Sequence, residues 1–346
     1  DRRILDRGIK PHVYCIEESN PISTKQLEYF GASMEPTERK KASAQIISLL
    51  DVFHDAKEYG SILTMPKFDY ELLKRFVKDS NYVQLSMDTI AYDNFGLDDA
   101  EKFMIALINQ GEILSNKYWI TCTNPPYMAV SNGSPKMQDY VKKNYPDSKS
   151  DLFSVFIERC GAMTRNMGYQ AMITMHSWMF LSSFEKLREK LQQHDIVNMA
   201  HLGARAFEEI GGEVVQTTAF VMRNNYLKDY KGTYCRLVGP NTQQGKEDMF
   251  LAKENFFIIN QANFKKIPGR PIAYWVSKVT SNIFENKIIS DIYEIKQGLA
   301  TCNNNLFLRN WFEVSKDNIN FLCGSNEETL ECEEKWYPYT KGGGFR

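Results

Sequence analysis

Four consecutive residues, Asn124-Pro125-Pro126-Tyr127, carry the strongest chemical signal in the sequence. Two prolines stiffen the chain and remove two backbone N–H donors. The groups left to act are acceptors, the Asn124 side-chain oxygen and the Pro125 carbonyl, with the Tyr127 ring beside them. A planar substrate bearing an exocyclic amino group would use all three: its two N–H bonds go to the two acceptors, and its ring stacks on Tyr127. Such a site needs no strong base, because positioning and local electrostatics carry the step.

Other candidates are weaker. The histidines His12, His54, His176, His194 and His201 show no metal-ligand spacing, and the seven cysteines contain no C-x-x-C pair, so no metal site is expected. His176 reads as a hydrogen-bonded loop residue. Lys136, Lys142, Lys143 and Lys149 follow the tetrapeptide and read as a solvated face that could also touch phosphates. Residues 253–287 hold six Lys/Arg against two acids, a mild basic excess that suits a nucleic-acid-facing hinge.

The elements that must position the tetrapeptide follow from apolar periodicity. Tyr118 to Thr123 is rich in aromatic and β-branched residues and reads as a strand ended by Asn124-Pro125. Asp151 caps a helix from Leu152 to Met163 that ends near Gly168. Tyr169–Met175 and Ile196–Leu202 read as further strands, with a helix from Ser182 or Ser183 between them. This strand–helix–strand–helix–strand order is the rhythm of an open parallel α/β sheet, whose ligands bind at the carboxyl ends of its strands. Val214–Met222 and Thr233–Val238 read as later strands forming an antiparallel edge. Residues 11–19 read as a short buried strand, and about 37–116 as a helical block in which Phe103, Met104, Leu107 and Ile108 share a face. The polar run from Gly239 to Lys253 reads as a domain boundary, giving domains 1–245 and 246–346.

The 346 residues have a formal net charge of −1, with 43% hydrophobic and 25% charged residues. That is the composition of a folded globular chain. No apolar run is long enough for a membrane span, and the charged N-terminus is not a signal peptide. A reducing, cytoplasmic setting is expected from the scattered cysteines. The neutral balance excludes a strongly basic nucleic-acid binder but not a local basic groove.

Asn-Pro-Pro-Tyr after a strand resembles the catalytic motif of S-adenosylmethionine-dependent amino-group methyltransferases, most of them acting on adenine in DNA. The Ser150–Phe153 helix start, the Ser177-Trp178-Met179 turn and Phe207 followed by Val214–Phe220 keep the order of large bacterial enzymes of that kind. Gly269–Trp275, Lys296–Thr301, Trp311–Val314, Lys335–Tyr339 and Lys341–Arg346 are similar to the PglX family of BREX phage-defence methyltransferases, whose restriction–modification relatives of type IIG share the catalytic half. The resemblance implies a Rossmann-like class I methyltransferase fold with a helical insertion and, from about residue 246, the start of a target-recognition domain. It implies that Asn124 and Pro125 hold the adenine amino group and that Tyr127 stacks on a base flipped from double-stranded DNA. Phe207, with Phe180 as competitor, would pack on its other face, although a plain core role is the commoner one for such a Phe. It also implies that Glu17 and Glu18 face the cofactor with Asn124, and that other defence proteins are partners.

The family's glycine-rich cofactor loop, Asp-Pro-Ala-Cys-Gly-Ser-Gly or similar, is absent from these 346 residues. The chain is therefore expected to be an internal piece of a longer protein that binds S-adenosylmethionine poorly by itself. Two other functions fit the same residues. One is a DNA- or protein-binding subunit without catalysis. The other is an amino-group methyltransferase for RNA or for a protein glutamine, although those enzymes are usually more compact.

Overall fold

The computed structural model describes residues 8, 11–79, 96–207, 215–287, 289–294 and 301–339. The expected strand start at Val214 and most of the Lys296–Thr301 and Lys341–Arg346 stretches lie outside them. The chain divides into two compact units, residues 1–286 and 287–346.

The first unit begins with helices α1 (Pro36–Val52), α2 (Ala56–Tyr59), α3 (Tyr70–Lys78) and α4 (Leu97–Ser115). Pro36 suits the first turn of α1, and the Asp69 carboxylate caps α3 by accepting from Leu72 N at 3.1 Å. Ile46, Leu49, Leu73, Phe76, Met104 and Leu107 form one dry core between α1, α3 and α4. Gly111 lets α4 approach closely: a Cβ there would lie 3.1 Å from Leu49 Cδ1. Phe103, expected on the buried face, is instead 36% exposed on the outer flank of α4.

Six strands among the described residues form one mixed sheet: β1 (Tyr118–Thr123), β2 (Thr164–Met175), β3 (Asp195–Ala204), β4 (Gln216–Arg223), β5 (Lys231–Arg236) and β6 (Phe256–Asn260). The order is β1-β2-β4-β3-β5-β6. β1 and β2 are parallel, as are β3 and β5, while β4 runs antiparallel between β2 and β3. The βαβ order is thus as expected, but the antiparallel β4 is interior rather than at an edge, β5 runs parallel to β3 instead of antiparallel, and the antiparallel edge strand is β6. β3 and β4 form a hairpin, and the second edge of β4 pairs with β2 along Tyr169–Met175. Four of its side chains are buried, Thr217, Thr218, Phe220 and Met222, which suits a strand covered by neighbours on both edges.

Three further expectations change. Helix α6 (Leu152–Met163), preceded by α5 (Pro135–Asn144), ends five residues before Gly168. Gly168 belongs to β2, where a Cβ would sit 2.8 Å from Trp119 O, so its role is close strand approach at an irregular register rather than helix termination. Residues 11–19 form no strand: Val13 is 81% exposed. Their polar backbone groups turn to the helices instead, Glu17 N donating to Gln110 Oε1 and Ser19 N to Phe53 O.

The boundary expected at residue 245 falls inside α8 (Gln243–Leu251), which follows α7 (Glu185–Leu191) in the helix order. The unit continues because β6 adds to β5, and because residues 269–275 are fastened to the sheet. The buried Arg188 donates to Gly269 O at 2.9 and 2.6 Å and to Trp178 O and Leu181 O, and Ile272 N donates to Met179 O. The described part of the second unit, residues 287, 289–294 and 301–339, consists of short turns and one helix of four residues, Asn304–Phe307, with an isolated bridge between Ile319 and Trp336.

Candidate active site

β1 and β2 run side by side as far as Thr123 and Met172, so Asn124 leaves the sheet at its carboxyl end. Asn124 is exposed and Pro125 is buried, which anchors the turn while leaving the amide side chain outward. Tyr127 is partly buried, and its hydroxyl donates toward Asn124 Oδ1 at 3.1 Å and Ile173 O at 3.3 Å. Burial pushes its pKa up to about 12, so it stays a neutral donor at physiological pH. The Asn124 oxygen has two lone pairs and keeps one for a substrate donor. The Tyr127 ring meets Phe153 edge to face, with centroids 6.5 Å apart, which fixes its plane.

Asp151 secures this loop from the helix side. Its Oδ1 accepts from Phe153 N, capping α6, and from Met128 N, both at 3.2 Å. Leu152 N donates back to Met128 O at 2.9 Å, and Ala129 bridges Asp151. Burial raises the Asp151 carboxyl above its usual range, the backbone N–H groups pulling the other way. The cap was legible in the sequence. The hold on Met128 was not, since nothing in the spacing links a capping Asp to a loop 23 residues earlier.

Sequence reasoning also missed a chain of rings at the same end of the sheet. His176, just after β2, faces His201 of β3 with Nδ1 to Nε2 at 2.7 Å, and His201 Nδ1 lies 3.1 Å from Tyr274 Oη. Phe180 and Trp275 pack against His201, and Phe180 against His176. Phe180 is therefore part of this cluster, whereas Phe207 is partly exposed in the stretch after β3.

Glu17 and Glu18 are both engaged by Lys57: Glu17 Oε2 lies 3.6 Å from its Nζ, and Glu18 Oε1 accepts its backbone N–H. No hydrogen bond or ion pair among the described residues joins either to Asn124. Lys136 and Lys142 pair with Asp55 and Asp139, as a solvated face would have them. The described residues contain no group of three or more His, Cys, Asp or Glu able to hold a metal, and no helix long and apolar enough to cross a membrane.

Residues 36–207 match the Eco57I restriction-modification methylase family. The whole chain is 40% identical to the adenine-specific methyltransferase PglX of Lacticaseibacillus casei (strain Zhang) and covers 28% of that protein. It is 34% identical, again over its whole length, to the adenine-specific methyltransferase BrxX of Escherichia coli O9:H4 (strain HS), of which it covers 29%. The chain thus spans less than a third of the length of these relatives. Among solved structures, it resembles the DrdV–DNA complex with a TM-score of 0.38 at 13% identity, over 52% of this chain and 20% of that one, a likeness too distant to assign anything. The matched methylase region contains the Asn-Pro-Pro-Tyr turn and the helix that fastens it, and from end to end the chain is similar to a part of the adenine-specific methyltransferases PglX and BrxX.

Proposed function

We propose that this chain supplies the adenine-binding part of a site-specific DNA methyltransferase that moves a methyl group from S-adenosylmethionine to the exocyclic N6 amino group of adenine, in BREX-type phage defence. The observation that carries the reading is the Asn-Pro-Pro-Tyr turn itself. An exposed acceptor stands at the carboxyl end of β1, beside an aromatic ring whose plane is fixed by Phe153 and whose loop is tied to Asp151.

The two N–H bonds of the amino group go to Asn124 Oδ1 and Pro125 O. This draws the nitrogen toward sp³ character and aims its lone pair. Tyr127 stacks on the flipped base, a contact worth roughly 1–3 kcal/mol and comparable with the few kcal/mol that unstacking costs. Phe207 is proposed for the opposite face of the base.

S-adenosylmethionine, when bound, supplies an activated methyl on a sulfonium. Glu17 and Glu18 fit its ribose side chemically, because each has one carboxylate oxygen bonded by Lys57 and the other without a protein partner among the described residues. Asn124 would border the methyl. Residues from about 37 to 116 are proposed as a helical insertion in the methyltransferase domain, and the second unit, residues 287–346, as the start of the module that reads the target sequence. Double-stranded DNA is the proposed partner, with other defence-system proteins beside it.

The test is transfer of labelled methyl groups to plasmid DNA by the complete protein. The parent should label adenine N6, while Asn124→Ala and Tyr127→Ala should lose the label. Full activity in Asn124→Ala would refute the assigned role. DNA binding by the parent without any transfer would favour a non-catalytic subunit.

A further inference from the structure

Tyr274 is 1% exposed, and its hydroxyl meets no group but His201 Nδ1 among the described residues. A buried phenol proton left unpaired costs about 1–3 kcal/mol, so the hydroxyl donates and Nδ1 accepts. His201 therefore carries its proton on Nε2 and donates it to His176 Nδ1 at 2.7 Å. A neutral His176 with Nδ1 accepting must carry its own proton on Nε2. That nitrogen has no protein partner among the described residues and is not fully enclosed. Three side chains thus pass one hydrogen-bond direction from the buried Tyr274 to a single outward N–H.

His176 sits at the same end of the sheet as the Asn-Pro-Pro-Tyr turn. His176 follows Ile173, whose carbonyl receives the Tyr127 hydroxyl, by three residues, about 10 Å of extended chain at most. Its backbone N is pinned to Gln216 O on β4 at 2.9 Å. The charged groups facing His201 are both cationic, Arg236 on β5 and Lys246 on α8. Lys246 is buried on two carbonyls, Leu202 O and Leu237 O, with no carboxylate partner among the described residues, and the Arg236 guanidinium lies over Trp275. The field at this end favours an anionic acceptor.

We propose that His176, held in one tautomer by the Tyr274–His201 chain, donates its Nε2–H to a phosphodiester oxygen of the substrate DNA beside the target adenine. This rests on the methyltransferase reading above. His176 is a positioning residue for the DNA strand and takes no part in the chemistry at the amino group. Protonating it on Nδ1 would place two N–H groups face to face, so the chain keeps it neutral unless Tyr274 releases His201.

The test uses the complete protein, duplex DNA binding by fluorescence anisotropy, and steady-state methyl transfer. His176→Asn, which has no donor at the ε position, should raise Kd and KM for DNA about tenfold, with the loss in KM rather than kcat. His176→Gln, which restores an N–H there, should recover most of that. Parent binding should show no histidine-like step between pH 5.5 and 7.5. Tyr274→Phe should gain one, with affinity rising as pH falls, because His201 can then reverse and His176 can take a proton. A single methylphosphonate at the contacted phosphate should erase the difference between parent and His176→Asn. Equal damage from Asn and Gln, or a Tyr274→Phe profile matching the parent's, would overturn the proposal. A parent that binds DNA with this pattern but transfers no methyl would refute the methyltransferase reading alone. Transfer unaffected by His176→Asn would refute the donor role alone.

Discussion

The two ends of the sheet treat polar groups in opposite ways. At the end where β3 begins, Asp195 is fully buried and accepts from Arg223 Nε at 3.1 Å, Arg223 Nη2 at 2.6 Å and Leu227 N at 2.9 Å. Charge meets charge, and the carboxylate is closed off. At the carboxyl ends of β1 to β3, Asn124 keeps an exposed acceptor, His176 an outward donor, and the Lys246 cation lies on carbonyls alone. The Asp195 charge is closed off by its partners at one end, while Asn124 and His176 face outward at the other, the end that holds the Asn-Pro-Pro-Tyr turn.

The sharpest way to test this contrast is to strike each end and read both activity and stability. Asn124→Ala should lower methyl transfer by roughly a hundredfold or more, the scale of losing one polar contact to the reacting group, while the thermal midpoint stays put. Asp195→Ala should do the reverse. Stripping Arg223 and Leu227 N of their buried partner should cost about 3–5 kcal/mol in urea denaturation, with transfer per folded molecule retained.

The contrast also has a pH signature. Burial, with Arg236 and Lys246 nearby, holds His201 down to about 3 from its ordinary 6.5. A depressed histidine contributes stability that is complete above the unfolded value. That contribution is lost as pH falls from about 6.5 toward 3, at up to ~1.4 kcal/mol per pH unit. His201→Gln should flatten that slope in denaturation curves collected between pH 4 and 8. The smallest effect is expected for Tyr127→Phe, which removes one hydroxyl shared between Asn124 and Ile173 O. A cost of about 0.5–1.5 kcal/mol in kcat/KM should follow, against a larger one for Tyr127→Ala, which also deletes the ring.

Much of this was legible in the residues. The Asn124–Tyr127 turn was identified because two prolines after a β-branched run leave few conformations. Asp151 was readable because a capping carboxylate before an apolar helix is a local signal. The strands around Tyr169, Ile196 and Thr233 followed from apolar runs. The errors arose where the deciding partner is distant in sequence. Nothing near Gln216–Arg223 tells that β4 will lie between β2 and β3. Gly168 looked like a helix stop because its true neighbour, Trp119 O, is 49 residues away. Phe256–Asn260 was not seen as a strand, since its one pairing partner, β5, covers a single edge. Residues 11–19 have strand-like composition, but composition does not supply a partner. The His176–His201–Tyr274 chain joins three segments with no shared motif, so only the fold reveals it.

The interior place of β4 sets an order of assembly. β1, α6 and β2 are contiguous in the chain and can pair as soon as they exist. β3 cannot join them directly, because the position beside β2 belongs to a strand made later. The sheet halves meet only after residue 223 has been synthesised and β4 has closed against both neighbours, a non-local step of the kind that slows folding. During translation, the first half of the sheet must therefore wait with the Tyr169–Met175 edge unpaired, and pairing can bring His176 and His201 together only when that gap is filled.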